Sequence, residues 1–362
     1  MTISLISPGR YVQGEGALKD LGKYLESFGK KALVVASGSG LKAWGEELKA
    51  GLKDKEYVID NFGGKECSQI QINRLVELGK QEAVDFVIGF GGGKPIDTAK
   101  AVAHKLGNIP VVIIPTIAAT DAPTSALSVI YTEEGVYEAV WTFPNNPNLV
   151  LVDTGIIAKS PARFLVAGMG DALATKFEAE ANFQANNDTN AGAKATVTAR
   201  TLANLCYEIL LEYGPMAKAA VEEGIVTPAL EQVVEANVLL SGLGFENNGV
   251  AGAHAMHDGF TVLEDVHGYY HGEKVGFCTI AQLVMEGRPA ELIEEVINFN
   301  YTVGLPITLA QIGVTEDIPA KIKKVSESVP DYVHNEPFEV TAKKIYDAIL
   351  GADALGRRFL EQ

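Results

Sequence analysis

Phe86-Val-Ile-Gly-Phe-Gly-Gly-Gly-Lys-Pro-Ile-Asp-Thr-Ala-Lys100 reads as a strand, a triple-glycine turn and the opening of a helix. The apolar run begins at Ala83 and stops at Gly91-Gly-Gly93. Working outward, Lys31–Ala36 (KALVVA), Ile109–Pro115 (IPVVIIP) and Leu149–Asp153 (LVLVD) are runs of the same kind. Continuous β-branched runs, unlike alternating ones, suit parallel strands buried on both faces. Helical stretches lie between them, over Gly40–Leu52 and Ser68–Lys80. This strand–helix rhythm predicts an open, doubly wound parallel sheet, with 149–153 as its last strand.

The triple glycine has a second reading. Gly91, Gly92 and Gly93 remove every Cβ where the chain must turn sharply or approach a ligand. The helix opening at Lys94–Pro95 would aim free backbone N–H groups and its positive dipole end at that loop. Pro95 suits a first helical turn, where its missing N–H is not needed. Such a site fits a pyrophosphate. The pattern is neither GxGxxG nor a Walker A loop.

Beyond residue 160 β-branched runs become rare. Ser160-Pro161 resembles a helix start. Ala191–Gly214, Met216–Glu223, Pro228–Gly242 and Glu273–Glu286 are helix-periodic. The expected organisation is an α/β domain over 1–159 and an all-α domain over 160–362. A chain of 362 residues is long for one core, which fits two domains. The formal net charge of −16 and the absence of a basic run argue against nucleic acid or an anionic membrane as partner. No apolar run reaches the ~18 residues of a membrane span. Three widely spaced cysteines, Cys67, Cys206 and Cys278, form no CxxC and fit a reducing cytoplasm.

Four of the six histidines fall together: His254, His257, His267 and His271. Neutral imidazoles bind divalent metals near pH 7. His254 and His257 share one face if helical. His271 reads as a loop entering the next helix, and His267 as structural. Asp171, in Gly168-Met-Gly-Asp171, reads either as a helix N-cap or as a carboxylate ligand. One carboxylate with two histidines would leave a coordination position open, the pattern of a catalytic metal; Zn²⁺ fits and Fe²⁺ competes.

Several separated motifs then carry a resemblance. They are Ser7-Pro-Gly-Arg-Tyr-Val-Gln-Gly-Glu-Gly-Ala17, Gly91–Lys100, Pro115–Tyr131 with its segment TDAPTSALSVIY, Gly168–Ala174, His254-Ala-Met-His-Asp-Gly259 and His271-Gly-Glu-Lys274. In this order and nearly end to end, the chain resembles the glycerol dehydrogenases of the iron-containing alcohol dehydrogenases. The resemblance implies a dehydroquinate synthase-like fold: a Rossmann-like domain plus a helical one. It implies a metal on Asp171, His254 and His271, with Zn²⁺ ahead of Fe²⁺. Relatives with a histidine four residues after the aspartate have a fourth ligand; this chain has Thr175. Asp121 is implied to bind the polyol, and His257 either relays a proton or supports the metal ligands.

The implied dinucleotide residues are Gly92, Gly93, Lys94, Pro95, Asp97, Thr116, Ile117, Ala119, Ser125, Leu127 and Tyr131, with Ser37 at the adenosine ribose. The implied reaction oxidises the secondary hydroxyl of glycerol or a related vicinal diol, with hydride passing to NAD. Homo-oligomers, up to octamers, are implied as well. Two departures from the family matter. Pro95 stands where Thr or Ser is common, which removes a hydroxyl. Ser37 stands where an aspartate would repel a 2′-phosphate, so NAD⁺ is expected still to be used and NADP⁺ to be rejected less strongly. The competing readings are a glycerol-1-phosphate dehydrogenase or dehydroquinate synthase-like cyclase, whose anionic substrates need basic pockets, and a non-catalytic metal-binding protein.

Overall fold

The computed structural model describes residues 2–63 and 65–361 and divides them into two compact units. The first unit, residues 6–161 and 220–242, contains a six-stranded parallel sheet in the order β1-β8-β5-β4-β2-β3. The strands are β1 (Tyr11–Gly14), β2 (Lys31–Ala36), β3 (Glu56–Asn61), β4 (Phe86–Gly91), β5 (Val111–Pro115) and β8 (Leu149–Asp153). β6 (Leu127–Tyr131) and β7 (Tyr137–Thr142) form a separate antiparallel ribbon. Helices α1 (Leu21–Tyr24), α2 (Gly38–Gly51), α3 (Gln69–Gln81), α4 (Gly93–Lys105) and α5 (Thr154–Ala158) connect them. The strand order reverses between β2 and β4. Their carboxyl ends, at Ala36 and Gly91, therefore flank a topological switch point, where open α/β sheets bind ligands.

The central strands were the legible ones. β2 and β8 lie where the apolar runs place them, while β4 and β5 begin three and two residues later than their runs. Four strands leave no such run. β1 and β3 are the two edges of the sheet, so they are only partly buried and carry polar residues. β6 alternates between buried and half-buried residues, and β7 mixes half-buried with exposed ones. β8 is thus the last strand, but not the fourth.

The second unit comprises residues 2–5, 162–219 and 243–361. Apart from an isolated bridge between Ile3 and Lys194 its regular structure is helical. It holds α6 (Ala162–Ala185), most of α7 (Val197–Glu222), α10 (Gly252–Phe260), α11 (His271–Met285), α12 (Ala290–Val303), α13 (Ile318–Glu327) and α14 (Ala342–Leu360). α8 (Pro228–Glu235) and a π-helical turn (Ala236–Leu240) belong to the sheet unit; α9 (Ser241–Asn248) begins there and continues in the helical one. Residues 220–242, expected with the helical domain, group with the sheet. Their hydrogen bonds explain this: Gln13 donates to Glu231 at 2.7 Å, Thr154 to Glu231 at 2.6 Å and Asn237 to the Ala118 carbonyl at 3.1 Å.

α6 and α11 meet through glycine. A Cβ on Gly272 would overlap the Ala167 carbonyl oxygen and stand 2.9 Å from the Asp171 amide nitrogen. A Cβ on Gly170 would overlap the Gly272 carbonyl oxygen. Glycine costs a helix interior about 1 kcal/mol relative to alanine. Here it lets two backbones touch, with Asp171 and His271 each one residue from the contact.

Candidate active site

Asp171 lies deep within α6, a 24-residue helix. The N-cap reading is therefore excluded. His254 sits in the first turn of α10, and His271 is the first residue of α11. His254 Nε2 and His271 Nε2 converge on one oxygen, Asp171 Oδ1, at 3.2 and 3.1 Å. One ligand atom from each residue lies within 4.8 Å of the others. The second carboxylate oxygen, Oδ2, is buried with no hydrogen-bond partner among the described residues. A buried carboxylate oxygen without a donor is costly, and a cation would relieve that cost. The donor set and this orphaned oxygen both fit a divalent ion. Thr175, one turn after Asp171, is fully buried and adds no ligand.

Each imidazole is oriented from behind. Glu178 Oε2 accepts from His254 Nδ1 at 2.6 Å, which turns Nε2 toward Asp171. Glu178 Oε1 also accepts from the backbone N–H of Ala251 and His254. Glu336 accepts from Gly252 N, and Gln282 from Ala253 N. Four backbone donors at the start of α10 are thus tied by side chains outside it, and His254 with them. On the other ring, His271 Nδ1 lies 3.1 Å from His257 Nε2, and His257 Nδ1 lies 3.0 Å from Asp258 Oδ1. Tyr332 donates its hydroxyl to Asp258 Oδ2 at 2.6 Å. A divalent ion held on His271 Nε2 would leave its Nδ1–H to donate to His257 Nε2, and the Nδ1–H of His257 to donate to Asp258.

The electrostatics follow from these contacts. Burial pushes Asp171 up, but the positive charge of His271 and hydrogen bonds from both histidines outweigh it and hold the carboxyl well below its usual range. Burial depresses His254, yet Glu178 and Asp171 together raise it well above an ordinary histidine. Burial, then the charges of His271 and Lys274, lowers His257 to about 3 against the pull of Asp258. His257 is therefore neutral at physiological pH. His267 is placed apart from these groups and bonds the Thr261 carbonyl oxygen at 3.1 Å.

In the sheet unit, the glycine loop sits at the switch point. Gly91 takes φ +146, and a Cβ there would stand 2.7 Å from Ser37 Oγ and 2.8 Å from Pro95 Cγ. Gly92 is the N-cap of α4 and lies beside Ile117; Gly93 faces open space but for Thr120. The helix opens one residue before Lys94, with Pro95 in its first turn. Ser37 caps α2, its Oγ accepting from Gly40 N at 3.1 Å. Thr116 N donates to the Gly91 carbonyl at 2.9 Å, which places Thr116, Ile117 and Ala119 directly after β5. Asp97 is buried; its carboxylate accepts from Val129 N at 3.1 Å and pairs with Lys100 at 2.9 Å. Its visible role is to fasten β6, with Leu127 and Tyr131, to α4. Ser125 is buried against Lys100. Asp121 accepts from the Ser241 hydroxyl at 2.6 Å.

The sequence reading missed Glu178, Asp258, Tyr332 and Ser241. Glu178 had a signal: it stands seven residues after Asp171, two helical turns along one face. Tyr332 and Ser241 had none, since each meets its partner across a long stretch of chain.

Known proteins resemble this chain along nearly its whole length. Residues 8–154 match the family model for the iron-containing alcohol dehydrogenases. The glycerol dehydrogenase of Thermotoga maritima is 52% identical over 99% of this chain and 98% of its own. That of Citrobacter freundii is 50% identical over 98% of both chains. A solved structure, a probable glycerol dehydrogenase from Sinorhizobium meliloti 1021, superposes with a TM-score of 0.94 at 44% identity, covering 99% of this chain and all of that one. With near-complete coverage at such identity, the chain belongs to the iron-containing alcohol dehydrogenase family, among its glycerol dehydrogenases.

Proposed function

We propose that the chain is a zinc-dependent glycerol dehydrogenase: glycerol and NAD⁺ give dihydroxyacetone, NADH and a proton. The convergence of Asp171, His254 and His271 on one point carries this reading. The names of the similar proteins support the substrate. A bound divalent ion supplies Lewis acidity to the substrate hydroxyl, and the nicotinamide accepts the hydride.

The residues of the chain do the rest. Asp171, His254 and His271 hold the ion; Thr175 in place of a fourth donor favours zinc over iron. Glu178 fixes the His254 ring. Tyr332, Asp258 and His257 fix the His271 ring, and this hydrogen-bonded chain favours a supporting role for His257 over proton relay. Asp121 hydrogen-bonds the polyol. The first turn of α4, with Gly92 and Gly93, receives the pyrophosphate on free backbone N–H groups.

An anionic substrate fits less well. Lys94 pairs with Glu66 and Arg163 with Glu273, while Lys159 and Lys176 lie over the rings of Trp44 and Tyr207. These four cations already have partners; Lys274 is buried and its charge acts on His257. Among the described residues no helix is long and apolar enough to cross a membrane. The three cysteines are free and buried, as suits a reducing cytoplasm.

The direct test strips the metal with a chelator and restores Zn²⁺ or Fe²⁺ while glycerol-dependent NADH formation is followed. Zinc-restored activity is expected; no rate with any diol and either metal would remove the reading. The same titration has a pH signature. His254, raised above an ordinary histidine, stabilises the ion-free site fully below about pH 6.5 and ceases to as pH climbs through its raised value. Zinc must displace that proton. Uptake is therefore expected to be at least about tenfold weaker at pH 5.5 than at pH 8, with proton release in weak buffer. Equal affinity at both pH values contradicts the assignment of His254.

Cofactor selectivity is a separate expectation. Ser37→Asp keeps a good helix cap and adds a charge facing a 2′-phosphate. The ratio of kcat/KM for NAD⁺ over NADP⁺ is expected to rise at least about tenfold, or ~1.4 kcal/mol. An unchanged ratio would show that Ser37 does not stand at the ribose.

A further inference from the structure

The stretch between β5 and β6 carries Asp121 but has no regular structure of its own. It is held by the segment after α8. Asn237 donates to the Ala118 carbonyl at 3.1 Å, and Thr124 Oγ1 donates to the Val238 carbonyl at 3.1 Å. Ser241 Oγ donates to Asp121 Oδ2 at 2.6 Å. Asn237, Thr124 and Ser241 are completely buried. A Cβ on Gly242 would overlap Thr124 Oγ1 and lie 3.1 Å from the Asp121 carbonyl, so the two segments touch backbone to backbone.

The local helix is unusual. Ser241 N bonds back to Ala236 O, five residues earlier, which makes Ala236–Leu240 a π-helical turn. Such turns are rare and occur often at functional sites. Here the widened turn sets Asn237, the Val238 carbonyl and Ser241 against three successive parts of one loop.

We propose that Ser241, delivered by this π-turn, is the residue that positions Asp121 for the polyol and so helps set substrate affinity. The proposal rests on the assignment of Asp121 to the substrate made above. A short hydroxyl-to-carboxylate hydrogen bond is among the stronger neutral-to-charged contacts. It fixes the Asp121 side chain before substrate arrives, so ordering that carboxylate is not charged against binding.

The test is a double-mutant cycle on the zinc-loaded enzyme: wild type, Ser241→Ala, Asp121→Asn and the pair. Ser241→Ala is expected to lower kcat/KM for glycerol about tenfold, mostly through KM. Its KM for NAD⁺ and its Tm should stay near wild type. In the Asp121→Asn background the same substitution should change kcat/KM less than about twofold, because the carboxylate that Ser241 orders for the substrate is gone. A tenfold effect that persists in that background overturns the proposal, since Ser241 would then act elsewhere. So does a Ser241→Ala enzyme with wild-type kcat/KM beside an impaired Asp121→Asn. So does an equal loss in the KM for NAD⁺ or in Tm, which would mark a general structural role. If Asp121→Asn alone leaves glycerol kinetics intact, the substrate assignment of Asp121 falls and takes this proposal with it, a result read on that variant without Ser241.

Discussion

Asp171→Asn is expected to reduce zinc from about one ion per chain to below about a tenth, and kcat for glycerol oxidation by about a thousandfold or more. The substitution keeps the shape and removes the charge. Asp171 Oδ1 is the single atom on which both imidazoles converge, and Oδ2 is the buried oxygen that lacks a donor. An amide offers a weaker ligand oxygen and turns an N–H₂ toward the site, where a cation should sit. Lewis-acid stabilisation of a developing alkoxide is worth several kcal/mol, and ~4 kcal/mol corresponds to about three decades of rate. Metal analysis and steady-state rates on one preparation decide it. A variant with full zinc and wild-type kcat would remove Asp171 from the ligand set. A wild-type chain that holds zinc but turns over no diol would instead support the non-catalytic reading.

The ligand set was legible because its chemistry is. Histidines are few in this chain, four of them cluster, and a carboxylate follows a glycine just where a helical run opens. Those cues named the three donors. They misplaced two of them. Asp171 was open to reading as a cap because two glycines precede it, and glycine normally marks the end of regular structure. The helix instead runs through Gly168 and Gly170, since α11 lies against them and permits no Cβ at Gly170. His271 was read as loop and is the first residue of a helix whose N-terminal Glu273 bonds back to Tyr270 N at 2.8 Å. At Asp171 a tertiary contact overrode the local pattern, and at His271 a local capping contact set the helix start. Glu178, Asp258 and Tyr332 support the donors through contacts that no spacing in the sequence advertises, apart from the seven-residue step to Glu178.

The fold divides along a similar line. Central strands advertise themselves by unbroken apolar runs, because both of their faces are covered. The edges β1 and β3 and the ribbon of β6 and β7 face solvent on one side, so they blend into polar connections. Residues 220–242 read as one more stretch of helical domain. What joins them to the sheet unit is side-chain bonding from Glu231 and Asn237, which a helix-periodic pattern cannot reveal.

Gly272→Ala is the second large effect, although it alters neither a ligand nor any group in contact with substrate. One methyl group on this residue must displace the Ala167 carbonyl, and with it the α6 backbone that carries Asp171. The obstacle is main chain, not the end of a flexible side chain, so nothing local can yield. Overpacking of this kind costs about 1–3 kcal/mol, more where backbone must move. His271 immediately precedes the substituted residue, so the separation falls on the pair whose ligand atoms now lie 3.1 Å apart. A fall in Tm, zinc occupancy below half and a loss of kcat of at least about a hundredfold are expected together. Gly276→Ala, one turn further along the same helix, is the control. A Cβ there would meet its nearest neighbour, Gly170 Cα, at 3.4 Å, which is ordinary van der Waals contact. That variant should bind zinc and turn over normally, and the better helix propensity of alanine should leave it as stable as wild type or more so. If both alanine variants behave alike, close approach of the two helices at Gly272 is not what holds Asp171 and His271 together.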